Sequence, residues 1–198
     1  DGEVTMKRIN REISIAPGTI KNIGLIDNLT DQTEVEREAL MAFYNAMDGD
    51  NWKDNTNWCS DRPIGEWYGI GTDENGLVAS LDLRENNLSG SLHEAVPYLY
   101  DLSSIWNLSL PTNDIVGFIP EDIDKMSSLV LFDIQDNDVQ GSIPASFADI
   151  KGLQYLWLYA NGLSGDVPEE IQEMELWNTC WTNIINQDYR AINQESFT

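Results

Sequence analysis

LFDIQDNDVQGSIP, residues 131–144, reads apolar-x-apolar-x-x-Asn-x-apolar-x-Gly-x-apolar-Pro, and the chain repeats it. SLDLRENNLSGSL at 80–92, NLSLPTNDIVGFIP at 107–120 and YLWLYANGLSGDVP at 155–168 carry the same slots. The four asparagines, Asn86, Asn113, Asn137 and Asn161, are spaced by 27, 24 and 24 residues. Self-similarity at such a period predicts stacked coils of a solenoid, each covering the apolar face of the next.

Each slot has a physical task. Alternating apolar residues make a short strand with one face inward, and successive coils stack these strands in parallel, about 4.8 Å apart. The Asn ends the strand, and its carboxamide can bond backbone groups that the turn leaves inside. The Gly four residues on permits backbone geometry that a Cβ would obstruct. Ile119-Pro120, Ile143-Pro144 and Val167-Pro168 stiffen the exit from the turn. The first copy departs from the rule with Leu92-His93 and three extra residues before the next strand, as end repeats of a solenoid do.

These residues resemble the leucine-rich repeat family, in particular its 24-residue type with the plant-type signature L-x-x-L-x-L-x-x-N-x-L-x-G-x-I-P. ALMAFYNAMDGDNWKDNTNWCSDRPIGEWYGI, residues 39–70, resembles the N-terminal cap of microbial members. The resemblance covers about 39–185 and implies an α/β fold: a right-handed leucine-rich repeat solenoid with a parallel concave β-sheet and a helical N-cap. It also implies recognition of a protein or peptide partner on that sheet.

Four regions follow. Residues 1–30 are read as an N-terminal arm, strand-like or mobile, with β-like runs at Val4–Ile9, Ile13–Ile15 and Ile20–Ile26 around the Pro17-Gly18 turn signal. Residues 31–75 are the cap. Thr33 and Glu36 fit a capping box, and Leu40, Phe43, Tyr44 and Met47 fall at helical spacing, predicting a helix over about 34–47. Trp52, Trp58 and Trp67 plug the solenoid's open end rather than bind sugar, because large rings bury much area per residue. Asp48-Gly49-Asp50-Asn51 fails as a calcium loop, since Trp52 would fill its fifth position. Residues 76–175 hold the four repeats. Residues 176–198 are expected to form a degraded fifth coil, with Trp177 and Cys180 inward, and a closing cap.

Charge narrows the partners. The chain has 198 residues and a net charge of −23, from 11 basic and 34 acidic side chains. Residues 63–198 carry only Arg84, Lys125, Lys151 and Arg190 against 22 acids. Such a body repels nucleic acid and anionic surfaces; neutral glycans and cationic protein surfaces remain. No apolar run is long enough for a membrane-spanning helix. A start at Asp1 fits a mature or trimmed chain whose targeting segment is gone; the resemblance to microbial surface members implies an extracellular or cell-surface location. The two cysteines, Cys59 and Cys180, should lie about four strand intervals or roughly 19 Å apart. That is beyond disulfide reach, so both are read as buried thiols.

Side chains between the apolar slots alternate outward. The expected concave residues run from Asp82 and Arg84, through Asp133 and Gln135, to Tyr155, Trp157, Tyr159 and Trp181, polar at one end and aromatic at the other. Contiguous aromatics offer rigid apolar area with a polar edge, as binding sites do. A protein or peptide suits this surface; a neutral glycan stacked on the rings is the alternative. No catalytic residue, cofactor or metal site is expected. The only histidine, His93, stands without a nucleophile signature, and no phosphate loop or metal-ligand spacing occurs.

Overall fold

The computed structural model describes residues 4–8, 11–15 and 23–174. Strands β1 (Val4–Arg8) and β2 (Arg11–Ile15) pair antiparallel as a hairpin. Helix α1 (Ile23–Ala46) follows, then β3 (Ile70–Thr72) and β4 (Val78–Asp82). The repeat body contributes β5 (Ser89–Ser91), α2 (Leu92–Ala95), β6 (Asn107–Ser109), β7 (Asp114–Val116), β8 (Leu131–Asp133), β9 (Gln140–Gly141), β10 (Tyr155–Trp157), β11 (Gly162–Leu163) and α3 (Glu169–Gln172).

The main sheet has the order β10-β8-β6-β4-β3. Strands β4, β6, β8 and β10 are parallel, and β3 closes the N-terminal end antiparallel to β4. Both apolar residues of every strand slot (Leu81 and Leu83, Leu108 and Leu110, Phe132 and Ile134, Leu156 and Leu158) are completely buried. Across the coil from this sheet lie the short parallel pairs β5–β7 and β9–β11, with an isolated bridge between Phe118 and Gln140. Ile119, Ile143 and Val167 face the core and the following prolines lead into short helical turns.

The asparagines form the ladder that holds the coils in register. Asn113 Nδ2 donates to the carbonyls of Leu110 and Pro111 in its own coil and of Leu83 in the preceding one, while its Oδ1 accepts from Asn86 N and Leu88 N. Asn137 and Asn161 repeat the arrangement, accepting from Ile115 N and Val139 N and donating across to Leu110 O and Ile134 O. These carboxamides satisfy buried backbone groups that a turn would otherwise orphan. Asn86 does the same toward the cap: its Oδ1 accepts from Asp54 N and its Nδ2 donates to Asp54 O, so residue 54 stands where a preceding coil would be.

The cap is an aromatic plug. Tyr44, Trp52, Trp58 and Trp67 pack in sequence, with centroid separations of 5.0 Å (Tyr44–Trp52), 4.9 Å (Trp52–Trp58) and 5.2 Å (Trp58–Trp67), and all are buried with Leu40, Phe43 and Met47. The indole N–H of Trp52 donates to Met47 O and that of Trp58 to Tyr68 O. Asp48 and Asp50 are engaged by Asn51 Nδ2 and the Tyr44 hydroxyl.

Three expectations are corrected. The helix begins at Ile23, not near residue 34, and runs unbroken past residue 30, so within the described residues the strand-like reading does not hold over 23–26, nor does a boundary at residue 30. Ile23, Ile26 and Leu29 are three residues apart, a helical spacing. The Thr33–Glu36 capping box is absent because both residues lie inside this helix; the buried Glu36 carboxylate instead accepts the N–H of Val78 at 2.7 Å, tying α1 to the first repeat strand. Cys59 is exposed rather than buried. It follows Trp58 in a turn at φ 58°, and with the indole inward the thiol faces out. Trp177, Cys180 and Trp181 lie outside the described residues, with the rest of the expected fifth coil.

Candidate functional site: the outer face of the main sheet

Strand register builds this face in rows. Ser80, Asn107, Leu131 and Tyr155 are neighbours across β4, β6, β8 and β10, and Asp82, Ser109, Asp133 and Trp157 form the next row. Backbone bonds continue past the strands: Glu85 N donates to Pro111 O, Thr112 N to Gln135 O and Asp136 N to Tyr159 O. Arg84, Pro111, Gln135 and Tyr159 therefore make a third row. The expected residues Asp82, Arg84, Asp133, Gln135, Tyr155, Trp157 and Tyr159 thus share one surface, polar at β4 and aromatic at β10.

At the aromatic end Tyr155 is 45% exposed and meets Trp157 edge-on at 6.1 Å. Trp157 and Tyr159 are half-buried. At the polar end the charges are already paired. Arg84 holds Asp82 through Nε to Oδ1 at 2.9 Å and Nη2 to Oδ2 at 2.7 Å. A bidentate pair of this kind presents a nearly neutral unit.

Asp133 corrects the expectation of an open carboxylate. It occupies the centre of the middle row but is only 2% exposed. Burial pushes its carboxyl up to about 6, with the nearby Asp82 charge adding to the rise; the Gln135 N–H, Arg84 and the Ser109 hydroxyl act against it. Asp133 therefore shapes the floor of this face rather than meeting a partner.

Four exposed aromatics, Tyr68, Tyr98, Trp106 and Phe118, escape a reading confined to the strand slots. Trp106, 47% exposed, stands just before β6. Phe118, also 47% exposed, lies on the far side of the coil. Its signal is its place between Gly117 and Ile119, a slot that alternation turns outward once the second line of short strands is recognised. Among the described residues no cluster of His, Cys, Asp and Glu could hold a metal ion, and no helix is long and apolar enough to cross a membrane.

Comparison with known proteins agrees with this architecture. The leucine-rich repeat family model matches residues 152–174. No curated protein matches the chain. The Arabidopsis receptor kinase HAESA, solved with the peptide hormone IDA and the co-receptor SERK1, is similar over 72% of this chain and 23% of that one, at 26% identity and TM-score 0.57. The BIR3–SERK2 complex from Arabidopsis thaliana matches over 66% of this chain and 73% of that one, at 25% identity and TM-score 0.55. A plant ice-binding protein shares the fold over 70% of this chain and 44% of that one, at 24% identity and TM-score 0.63. The chain spans less than a quarter of the HAESA chain. The repeat match and these neighbours support a leucine-rich repeat protein, and the fold is a solenoid with a parallel sheet.

Proposed function

We propose that the chain is a non-enzymatic recognition module that binds a protein or peptide on the concave face of its main sheet. In this reading the 24-residue repeats of 76–175 stand behind a microbial-type cap, residues 176–198 complete a fifth coil and closing cap, and the protein works at a bacterial surface or outside the cell. Tyr155, Trp157 and Tyr159 form the anchor, Trp181 extends it, and Gln135 with the Asp82–Arg84 pair forms a polar rim. Asp133 acts beneath the surface.

The observation that carries this reading is the outward Tyr155–Trp157 pair, with Tyr155 nearly half exposed on a sheet whose inner face is fully packed. Rigid aromatic area beside a hydrogen-bonding rim is what protein and peptide anchors use. The similar HAESA structure holds a peptide hormone and the BIR3–SERK2 structure is a protein complex, which favours the same use here.

Random-peptide display on the immobilised full chain tests the proposal. Selected peptides should lose about 1–3 kcal/mol of affinity with Trp157→Ala or Tyr155→Ala, while circular dichroism stays unchanged. Peptides that bind both variants as tightly as the parent chain would overturn the site.

A further inference from the structure

A second concavity lies on the opposite side of the coil. It is a groove open to solvent, about 360 Å³ in volume, lined by Gly117, Phe118, Ile119 and Glu121 from the second repeat and by Gln140, Gly141 and Ser142 from the third. We propose that this flank pocket binds a neutral sugar, stacked on Phe118 and hydrogen-bonded by Glu121, Gln140 and Ser142.

The ring is held in place from one side. His93, in the first repeat, stacks on Phe118 at 3.8 Å and 13°, and Ser91 Oγ holds His93 Nδ1 at 2.6 Å. Gly117, at φ +88°, leaves the room: a Cβ there would stand 2.7 Å from His93 Nδ1. Gly141, at φ +86°, lies against Phe118 from the third repeat: a Cβ there would stand 3.3 Å from Phe118 Cβ. His93 therefore covers one face of the ring, and Phe118, still 47% exposed, lines the pocket.

The polar groups complete the chemistry. Glu121, Gln140 and Ser142 are exposed, and among the described residues none has its side chain committed to another hydrogen bond. A carboxylate accepts, an amide accepts and donates, and a hydroxyl does both, which matches the alternating demands of ring hydroxyls. The negative face of an aromatic ring attracts the polarised C–H edge of a pyranose. A chain of net charge −23 disfavours anionic sugars, and the volume lies in the range of small-ligand pockets.

Saturation-transfer NMR on the full chain, with methyl glucoside, galactoside, mannoside and N-acetylglucosaminide at millimolar concentration, is the direct test. At least one glycoside should show transfer and compete with its own oligosaccharide. Phe118→Ala should weaken binding about tenfold or more, Phe118→Tyr should retain it, and Gln140→Ala should weaken it without touching the fold. Trp157→Ala should leave it unchanged, which separates this site from the one on the main sheet. Absence of transfer from all four glycosides, binding that survives both Phe118→Ala and Gln140→Ala, or binding that depends on Trp157 alone would each overturn the proposal.

Discussion

The residue before each ladder asparagine adopts a left-handed backbone: Glu85 at φ 53°, Thr112 at 55°, Asp136 at 55° and Ala160 at 54°. Four different side chains share a conformation that none of them favours, and for the β-branched Thr112 it is the most costly. At Asn113, Asn137 and Asn161 the carboxamide, bonded to carbonyls two and three residues back and to the preceding coil, over-determines the turn, so the identity of the preceding residue matters little. Asp133 is the opposite case, a residue whose properties come wholly from its neighbours. Its folded-state value of about 6 lies above its ordinary 3.8, so folding disfavours the ionised form. The stability this carboxyl contributes is full below about pH 4, is lost as pH rises through 6, and is level above that. Asp133→Asn should remove this dependence. Urea unfolding from pH 4 to pH 7.5 should show the parent losing about 3 kcal/mol relative to the variant. A difference constant with pH would mean that the carboxyl is not desolvated.

At the scale of elements, the cap and the first repeat meet through two devices. One is the Glu36 carboxylate on Val78 N. The other is Gly90, where an added Cβ would collide with the carbonyl of Ala46 at the end of α1 and crowd Met47 Cα at 3.2 Å. Gly117, Gly141 and Gly165 occupy the same repeat slot for a different reason, a positive φ of 86–88°. A single consensus glycine thus answers close approach in the first coil, both close approach and backbone geometry in the second, and chiefly backbone geometry in the third and fourth. Gly90→Ala must push α1 off β5, and an overpacked contact against backbone costs about 1–3 kcal/mol. A lowered urea midpoint, with faster hydrogen exchange in α1 than in β8, is the expected signature; an unchanged midpoint would show that α1 docks without this contact.

For the whole molecule, charge is the feature that no single coil explains. The described ion pairs, Arg37–Glu34, Arg62–Glu66, Arg84–Asp82, Lys125–Asp122 and Lys151–Asp149, each join residues within four positions of one another. They are local and largely exposed, so each contributes little. The surplus of negative charge spans all the coils and opposes their stacking. Salt shortens the screening length from about 30 Å at 0.01 M to about 10 Å at 0.1 M, which relieves the repulsion more than it weakens the pairs. Raising NaCl over that range should increase Tm by about 2–4 °C, corresponding to about 1 kcal/mol for a chain of this size. A lower Tm in salt would mean that ion pairing outweighs the surplus charge.

The repeat period, the inward strand residues, the Asn ladder positions and the Trp plug of the cap were legible in the sequence, because periodicity and apolar slots are local properties that a stacked architecture repeats without revision. The outward positions of Asp82, Arg84, Gln135, Tyr155, Trp157 and Tyr159 on the main sheet also follow from alternation along a strand. Only the tertiary structure decided which outward slots a partner could reach: Asp133 sits in an outward slot yet is buried, and Arg84 is spent on Asp82. It also decided the length of α1 and the work of Glu36, because a carboxylate that could cap its own helix also reaches an unpaired N–H on a strand 42 residues away. The Phe118 pocket draws on three successive coils, with His93 stacked on the ring and Gly141 beside its Cβ. No one repeat contains it, since burial and juxtaposition depend on what the neighbouring coils place alongside.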